Sequence, residues 1–329
     1  INVFYGNTVQ LYNSAGILVA SEVINAQSGL GTNDTSALVN FYGLDPNETY
    51  SAVLVRAING VSGNATWDNL VAGDGKESYS LTADAATGGH SGTLTGTGYN
   101  DTFIAEEGSY TYVGSGGWET TSNHATWSAN GGEDIVDFRN STVGITVDLS
   151  NTGAQNTGFN TSTFNGIEGI AGSNQDDVIT GNSGNNIFEG RGGNDTFNIG
   201  NGGHDTLLYK LINSTDATGG NGSDTVNGFT VGTWEGTADT DRIDISELLQ
   251  GSGYTGTGAA SYVNGVATLD SAAGNIGDYV KVTTSGSDTV IQIDRDGSGA
   301  SYTPTTVVTL TGVHTDLATL LANHQLTVV

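Results

Sequence analysis

The sequence predicts an all-β chain built around a stack of short parallel turns, and three observations carry that prediction. Between Gly172 and Leu208 the chain repeats in register as GSNQDDVIT, GNSGNNIFE, GRGGNDTFN and, after the spacer Ile199, GNGGHDTLL. The sixth position of each block holds Asp177, Asn186, Asp195 and Asp205, at steps of nine, nine and ten residues. The eighth position is always apolar: Ile179, Phe188, Phe197 and Leu207. A further block, GGNGSDTVN from Gly219, places Asp224 nineteen residues after Asp205, which reads as two periods with one blurred turn between.

Each block has a simple physical reading. A run of Gly, Asn, Ser and Asp makes a tight loop, because glycine accepts positive φ and the short polar side chains bond to nearby backbone. The residues that follow, with one apolar side chain in the middle, suit a very short strand facing inward. Stacked turns bury a thin apolar column and line carboxylates along the outer edge. Those charges repel, and a hard divalent cation with oxygen ligands removes the repulsion. Blocks of the form Gly-Gly-x-Gly-x-Asp-x-apolar-x mark a calcium-binding parallel β-helix. Composition alone would also allow a Gly/Asn-rich linker, but five in-register blocks argue against one.

These residues resemble the repeats-in-toxin (RTX) family of secreted calcium proteins. The resemblance implies a right-handed parallel β-roll with ions held between loops two turns apart. One loop gives carbonyls from its second and fourth positions plus its Asp; the loop two blocks on gives carbonyls from its first and third plus its own. Carried over, one calcium ion would sit among Ser173, Gln175, Asp177, Gly190, Gly192 and Asp195. A second would use Asn182, Gly184, Asn186, Gly200, Gly202 and Asp205, and would be weaker because Asn186 departs from the pattern. A third would use Asn201, Gly203, Asp205, Gly219, Asn221 and Asp224. Gln175 replaces a glycine, which keeps a carbonyl but restricts the loop's backbone.

Charge and composition bound the rest. With 35 acidic against 8 basic residues the net charge is −27, the wrong sign for nucleic acid or an anionic membrane surface. The acids fall at loop positions beside glycines, which favours metal binding over mere solubility. There is no cysteine, so no disulfide staples the fold and no thiol chemistry is available. The 51 glycines and 2 prolines suit a turn-dense β chain. No apolar run approaches a membrane span. The chain opens at Ile1 without Met or a leader and reads as a piece of something longer.

In order, residues 1–90 read as a small N-terminal β domain serving as a ligand-binding or spacer module. INVFYGNTVQLYNSAGILVA alternates like a hairpin across a GN turn, and SAVLVRAI at 51–58 is the strongest strand. FYGLDPNETYSAVLVRAINGV and WDNLVAGDG resemble the small β domain named ASPIC/UnbV, which implies no catalytic residues. Asp34, Asp45, Asp68 and Asp74 read as ordinary turn formers. ADAATGGHSGTL at 83–94 is the expected boundary, followed by a β-roll over 91–236. There GTGYNDTFI and ANGGEDIVDF add calcium-type blocks with Asp101 and Asp134 in the ligand position. Between them lies an aromatic-rich insertion at about 104–128, whose Tyr110, Tyr112, Trp118 and Trp127 either form a binding face or cover the end of the thin core. The phrase 139–171 looks like an RTX spacer and continues the stack.

After Asp224 a β-rich cap is expected over 237–329. TADTDRIDISELLQGSG gives a short helix with Ile245, Leu248 and Leu249 on one side; 277–294 is a hairpin around SGS. DRDGSG is either a calcium turn or a plain one, since it lacks the rest of an EF-hand loop. TVVTLTGV is a final strand, and a short helix and apolar tail close the chain. This order of phrases resembles the carboxy-terminal region of giant adhesins exported by type I secretion. The resemblance implies export from a Gram-negative cell, folding outside it on calcium, and a role in surface attachment or biofilm formation. Its alternatives are a sugar- or peptide-binding module, an RTX enzyme with its catalytic domain upstream, and an ice-binding solenoid. The five histidines form no His-Glu-x-x-His site, and no Gly-x-Ser-x-Gly elbow occurs. Gly251-Ser-Gly-Tyr-Thr-Gly256 matches a dinucleotide fingerprint only formally. The chain reads as no enzyme.

Overall fold

The structure is a computed structural model that describes residues 6–13, 18–25, 50–56, 79–82, 91–95, 101–114, 118–121, 124–127, 133–200, 202–234 and 239–329. Asp34, Asp45, Asp68, Asp74 and Asn201 therefore lie outside the described residues. Two compact units emerge: one gathers 1–140, 152–156 and 160–167, the other 141–151, 157–159 and 168–329.

In the first unit, strand Gly6–Asn13 lies between antiparallel neighbours Leu18–Asn25 and Tyr50–Arg56. The expected GN turn is instead the start of a strand, since Gly6 and Asn7 already pair with Asn25 and Ile24. Parallel stacking then begins at Tyr79–Thr82, which pairs with Asp101–Ile104, ahead of the boundary expected at 90/91. From there strands alternate between two sheets. Asp101–Ile104 pairs with Ile135–Asp137, while Ser109–Val113 lies between Ser91–Thr95 and Thr161–Asn165.

The aromatic segment is thus, in its first part, a turn of the stack. Tyr110 and Tyr112 point into the core, and the Tyr112 ring lies 5.8 Å from Phe103 and 5.9 Å from Phe164. Of the two readings of this segment, these tyrosines fill the core; they offer no binding face. Farther on, Trp118–Thr121 and His124–Trp127 form a hairpin that sets the backbones of Trp118 and Trp127 opposite each other.

The second unit contains the main repeats. Thr146–Asp148, Val178–Thr180, Thr196–Asn198, Asp224–Asn227 and Thr305–Thr311 form one parallel run. Gly169–Ala171, Ile187–Glu189, Thr206–Leu208, Arg242–Asp244 and Leu326–Thr327 form the other. Successive blocks feed the two sheets in turn, so each strand pairs with the one two blocks on. Strands this short bury about one side chain each, and that side chain is the eighth position. Ile179, Phe188, Phe197, Leu207, Val226 and Ile243 are all essentially inaccessible. Phe188 and Phe197, from opposite sheets, meet with ring centroids 5.9 Å apart. Each such residue contributes about 1.5–3 kcal/mol of burial, so the column is continuous but thin.

The sheets run on through the boundary expected at 236/237, because Arg242–Asp244 and Thr305–Thr311 extend them directly. Closure comes from a change of direction. Thr305–Thr311 pairs antiparallel with Asp288–Ile293, and that strand pairs with Val280–Ser285. Helix Ser246–Leu249 buries Leu248 and Leu249. Helix Leu317–Ala322 buries Leu320 and Leu321, and Asp316 caps it by accepting the Thr319 N–H at 2.8 Å. In the DRDGSG turn the Asp296 carboxylate accepts the N–H groups of Ser301 and Tyr302.

Candidate metal centre

Alternation between two sheets sorts the glycine-rich loops onto two edges. One edge carries the loops ending in Asp177, Asp195 and Asp224; the other carries those ending in Asn186, Asp205 and Asp241. On each edge the aspartates after the first loop turn inward, and each accepts the N–H of its counterpart one turn before. Asp195 Oδ1 accepts from Asp177 N at 2.8 Å, and Asp224 Oδ1 from Asp195 N at 2.8 Å. Opposite, Asp205 Oδ1 accepts from Asn186 N at 2.8 Å, and Asp241 Oδ1 from Asp205 N at 3.1 Å. The ladder explains why this position takes a short oxygen-bearing side chain.

A second ladder runs beside it through the fifth positions. Asp176 accepts from Asn194 N at 2.7 Å, Asn194 from Ser223 N at 3.0 Å, and Asn185 from His204 N at 2.9 Å. His204 is held by its neighbours: its Nδ1 lies 3.0 Å from the Thr240 carbonyl and its ring packs edge-on against Trp234.

One oxygen of each central aspartate is left over. Asp195 Oδ2 and Asp205 Oδ2 are buried and accept no hydrogen bond. Among the described residues no ion pair reaches either carboxylate. Burial, reinforced by the Asp224 charge, pushes Asp195 up to about 9. Burial pushes Asp205 up to about 8, with Asp241 and Asp239 adding to it. Asp224 rises to about 7 and Asp241 to about 6, again chiefly through burial, and Asp177 is raised for the same reason. Buried carboxylates of one sign need a compensating cation or a proton.

Successive loops on each edge also approach one another closely. A Cβ on Gly193, whose φ is +117°, would stand 2.6 Å from the Gln175 carbonyl oxygen. On the other edge a Cβ on Gly203 would stand 2.2 Å from the Gly184 carbonyl. Only glycine permits so close an approach of successive loops, and the approach leaves carbonyls facing the inter-loop gap. Among the described residues no group of three or more His, Asp or Glu side chains converges. Two carboxylates with several carbonyls make a donor set for a hard cation such as calcium and a poor one for a soft metal.

The structure brings together the residues of the first two expected sets. Ser173, Gln175 and Asp177 stack on Gly190, Gly192 and Asp195; Ser173 N donates to Asp177 Oδ2 at 2.7 Å. Asn182, Gly184 and Asn186 stack on Gly200, Gly202 and Asp205. There Asn186 spends its amide on the Glu168 carbonyl at 3.2 Å and Asn182 Oδ1 at 3.3 Å. The third expected set is not brought together. Gly203 and Asp205 lie on one edge, whereas Gly219, Asn221 and Asp224 lie on the other, against the Asp195 loop. The reason is the segment 209–218, which bulges out of the stack and adds no turn. It folds back on the glycine loop through bonds from Ile212 N and Asn213 N to Gly219 O. In the first unit Asp101 and Asp134 repeat the ladder, with Asp101 N donating to Asp134 Oδ1 at 2.8 Å.

Asp239 and Asp241 were missed as members of the loop stacked on Asp205. GTADTDRID from Gly236 keeps glycine at the first, Asp241 at the sixth and Ile243 at the eighth position, and that signal was available although Asp239 replaces the usual fourth-position glycine.

Residues 163–197 and 171–207 match the RTX calcium-binding nonapeptide repeat family, described as four copies of the repeat. The chain thus carries RTX calcium-binding repeats. No curated protein matches the chain. Among the described residues no helix is long and apolar enough to cross a membrane.

Proposed function

We propose that the chain is the calcium-folded β-roll and export-directing end of an extracellular RTX adhesin, serving surface attachment or biofilm formation of a Gram-negative bacterium. The calcium part of this reading is carried by the pair of buried, unpaired oxygens Asp195 Oδ2 and Asp205 Oδ2; its adhesin and export parts rest on the resemblance of the order of phrases after Asp224. On the Asp195 edge, Ser173, Gln175, Asp177, Gly190, Gly192 and Asp195 would hold one ion. The loop pair 190–195 and 219–224 would hold another. On the opposite edge, Asn182, Gly184, Gly200, Gly202 and Asp205 would hold a weaker ion beside Asn186, and the 200–205 loop would share one with Asp239 and Asp241.

Calcium, when bound, supplies the positive charge these carboxylates lack. The protein's part is to aim oxygens inward and to exclude water. Asp195 and Asp205 each fix the preceding turn with one oxygen and keep the other for the cation, while the Ile/Phe/Leu column behind them keeps the site dry. Because each turn contacts only its neighbours, neutralising one loop pair favours ordering of the next. The chain then changes from an exportable, self-repelling polymer into a rigid module where calcium is abundant. The reading assigns no catalysis to this chain.

Calorimetric titration with calcium, on wild type and on Asp195→Asn and Asp205→Asn, tests the site assignment. Several ions per chain are expected, with fewer in each variant; unchanged stoichiometry in both variants would contradict it. Export is tested separately by fusing residues 237–329 to a reporter in cells with a type I exporter, where retention inside the cell would remove that part.

A further inference from the structure

Gln325 is wholly buried just before Leu326–Thr327, the last strand of the sheet that carries Thr206–Leu208 and Arg242–Asp244. Its side chain is engaged at both ends. Nε2 donates to the Thr230 carbonyl at 2.7 Å and to the Asp241 carbonyl at 2.8 Å. Oε1 accepts Gly232 N at 2.9 Å and Asn323 Nδ2 at 3.3 Å. A glutamine amide offers two N–H donors and an oxygen with two lone pairs, so its whole capacity is used. The backbone is pinned too: Gln325 N donates to the Leu320 carbonyl, and the Gln325 carbonyl accepts Ile243 N, both at 2.8 Å.

What this amide grips is the loop ending in Asp241. In the earlier blocks the second residue orients the sixth-position side chain: Ser173 N donates to Asp177 Oδ2 at 2.7 Å, and Asn182 N to Asn186 Oδ1 at 2.8 Å. For Asp241 Oδ2 the donor is Thr230 N at 2.8 Å, from a residue that precedes the block beginning at Gly236. Thr230 O accepts Asp241 N at 3.3 Å in return. Meanwhile Asp241 Oδ1 takes Asp205 N at 3.1 Å. The carboxylate is thus aimed from two sides, by the loop beneath it and by Thr230. Thr230 keeps its place because Gln325 holds its carbonyl and fixes Gly232 beside it.

We propose that Gln325 is a positioning residue for the cation shared by the 200–205 loop and Asp241: its amide fixes Thr230, whose N–H sets the Asp241 carboxylate. The inference rests on the calcium reading above and adds a residue outside every nonapeptide block, 84 residues beyond Asp241. The sheet behind the Asp195 edge runs on into Thr305–Thr311, so the sites of that edge do not depend on this amide.

The test is Gln325→Met in the full chain, which keeps length and bulk and removes the donors and the acceptor. At saturating calcium the far-UV β signal should match wild type. In calorimetric titration one calcium step should weaken on the order of tenfold while the others hold. In an Asp241→Asn background the same substitution should shift no calcium step further, because the carboxylate it positions is already gone. A purely structural role would move the steps equally with and without Asp241→Asn, and that result would overturn the assignment. Loss of the β signal at saturating calcium would overturn it as well, in favour of the same structural role. A wild-type chain with no calcium step would overturn the calcium reading and this inference with it; calcium steps indifferent to Gln325→Met would overturn this inference alone.

Discussion

The two edges of the repeat stack share one backbone geometry and differ in charge. The Asp195 edge stacks three aspartates, Asp177, Asp195 and Asp224, whereas the other begins with the neutral Asn186 before Asp205 and Asp241. Asn186 satisfies its own amide inside the protein, yet Asp195 leaves an oxygen bare. Asn186 joins the ladder through its N–H alone, and its Oδ1 accepts Asn182 N at 2.8 Å within its own loop; the demand for a cation comes from the carboxylates. Shape and metal dependence are separable properties of the same block.

The largest effect should be that of pH on the metal-free chain, because it adds over every raised carboxylate. An unfolded aspartate titrates near about 3.9, whereas Asp195, Asp205, Asp224 and Asp241 in the fold titrate near about 9, 8, 7 and 6. The folded state thus binds protons more tightly, and its extra stability is full below about pH 4 and lost as pH rises toward about 9. Urea unfolding in chelator across this range should show falling stability, mostly through the Asp195 edge. With calcium saturating, the slope should reverse, since the cation replaces the protons.

Next comes Asp195→Ala. It removes the acceptor for Asp177 N–H and, on the proposed site assignment, a ligand shared by two loop pairs, so calcium-saturated stability should fall by more than about 2 kcal/mol in denaturant unfolding. Asp205→Ala should cost less, about 1–3 kcal/mol, since Asn186 on its edge adds no charge for a cation to offset. Asn186→Asp sharpens the contrast with the smallest change. It should strengthen one calcium step on that edge and make the chelated form less stable, giving the Asn186 edge the behaviour of its neighbour. Equal responses of the two edges to these substitutions would break the distinction between them.

Much of the stack was legible in the sequence. Its period came from Asp177, Asp195 and Asp205, and its inward column from Ile179, Phe188, Phe197 and Leu207. What was not legible was phase. Spacing alone places Asp224 two periods after Asp205, but the 209–218 segment bulges from a turn, so Asp224 falls one block on and stacks with Asp195. Period counting cannot tell an inserted turn from an extruded loop; the Asn221–Lys210 contact decides it. Asp241 escaped notice because Asp239 stands at the fourth position of its block, where four of the five recognised blocks have glycine, although Gly236 and the Asp-x-apolar spacing remained. Tyr110 and Tyr112 were ambiguous because alternation fixes which residues share a face and leaves open which face is inside. The fifth-position ladder was hidden because Asp176, Asn185, Asn194, His204 and Ser223 share no single chemistry.

The most direct test of calcium-dependent folding is far-UV circular dichroism of the chain, taken from excess chelator through a calcium titration at neutral pH, with magnesium as control. Bare Asp195 and Asp205 oxygens predict a cooperative gain of β signal with calcium alone, reversed by chelator. Full β structure in chelator would contradict it, since the stack would then stand without its ions.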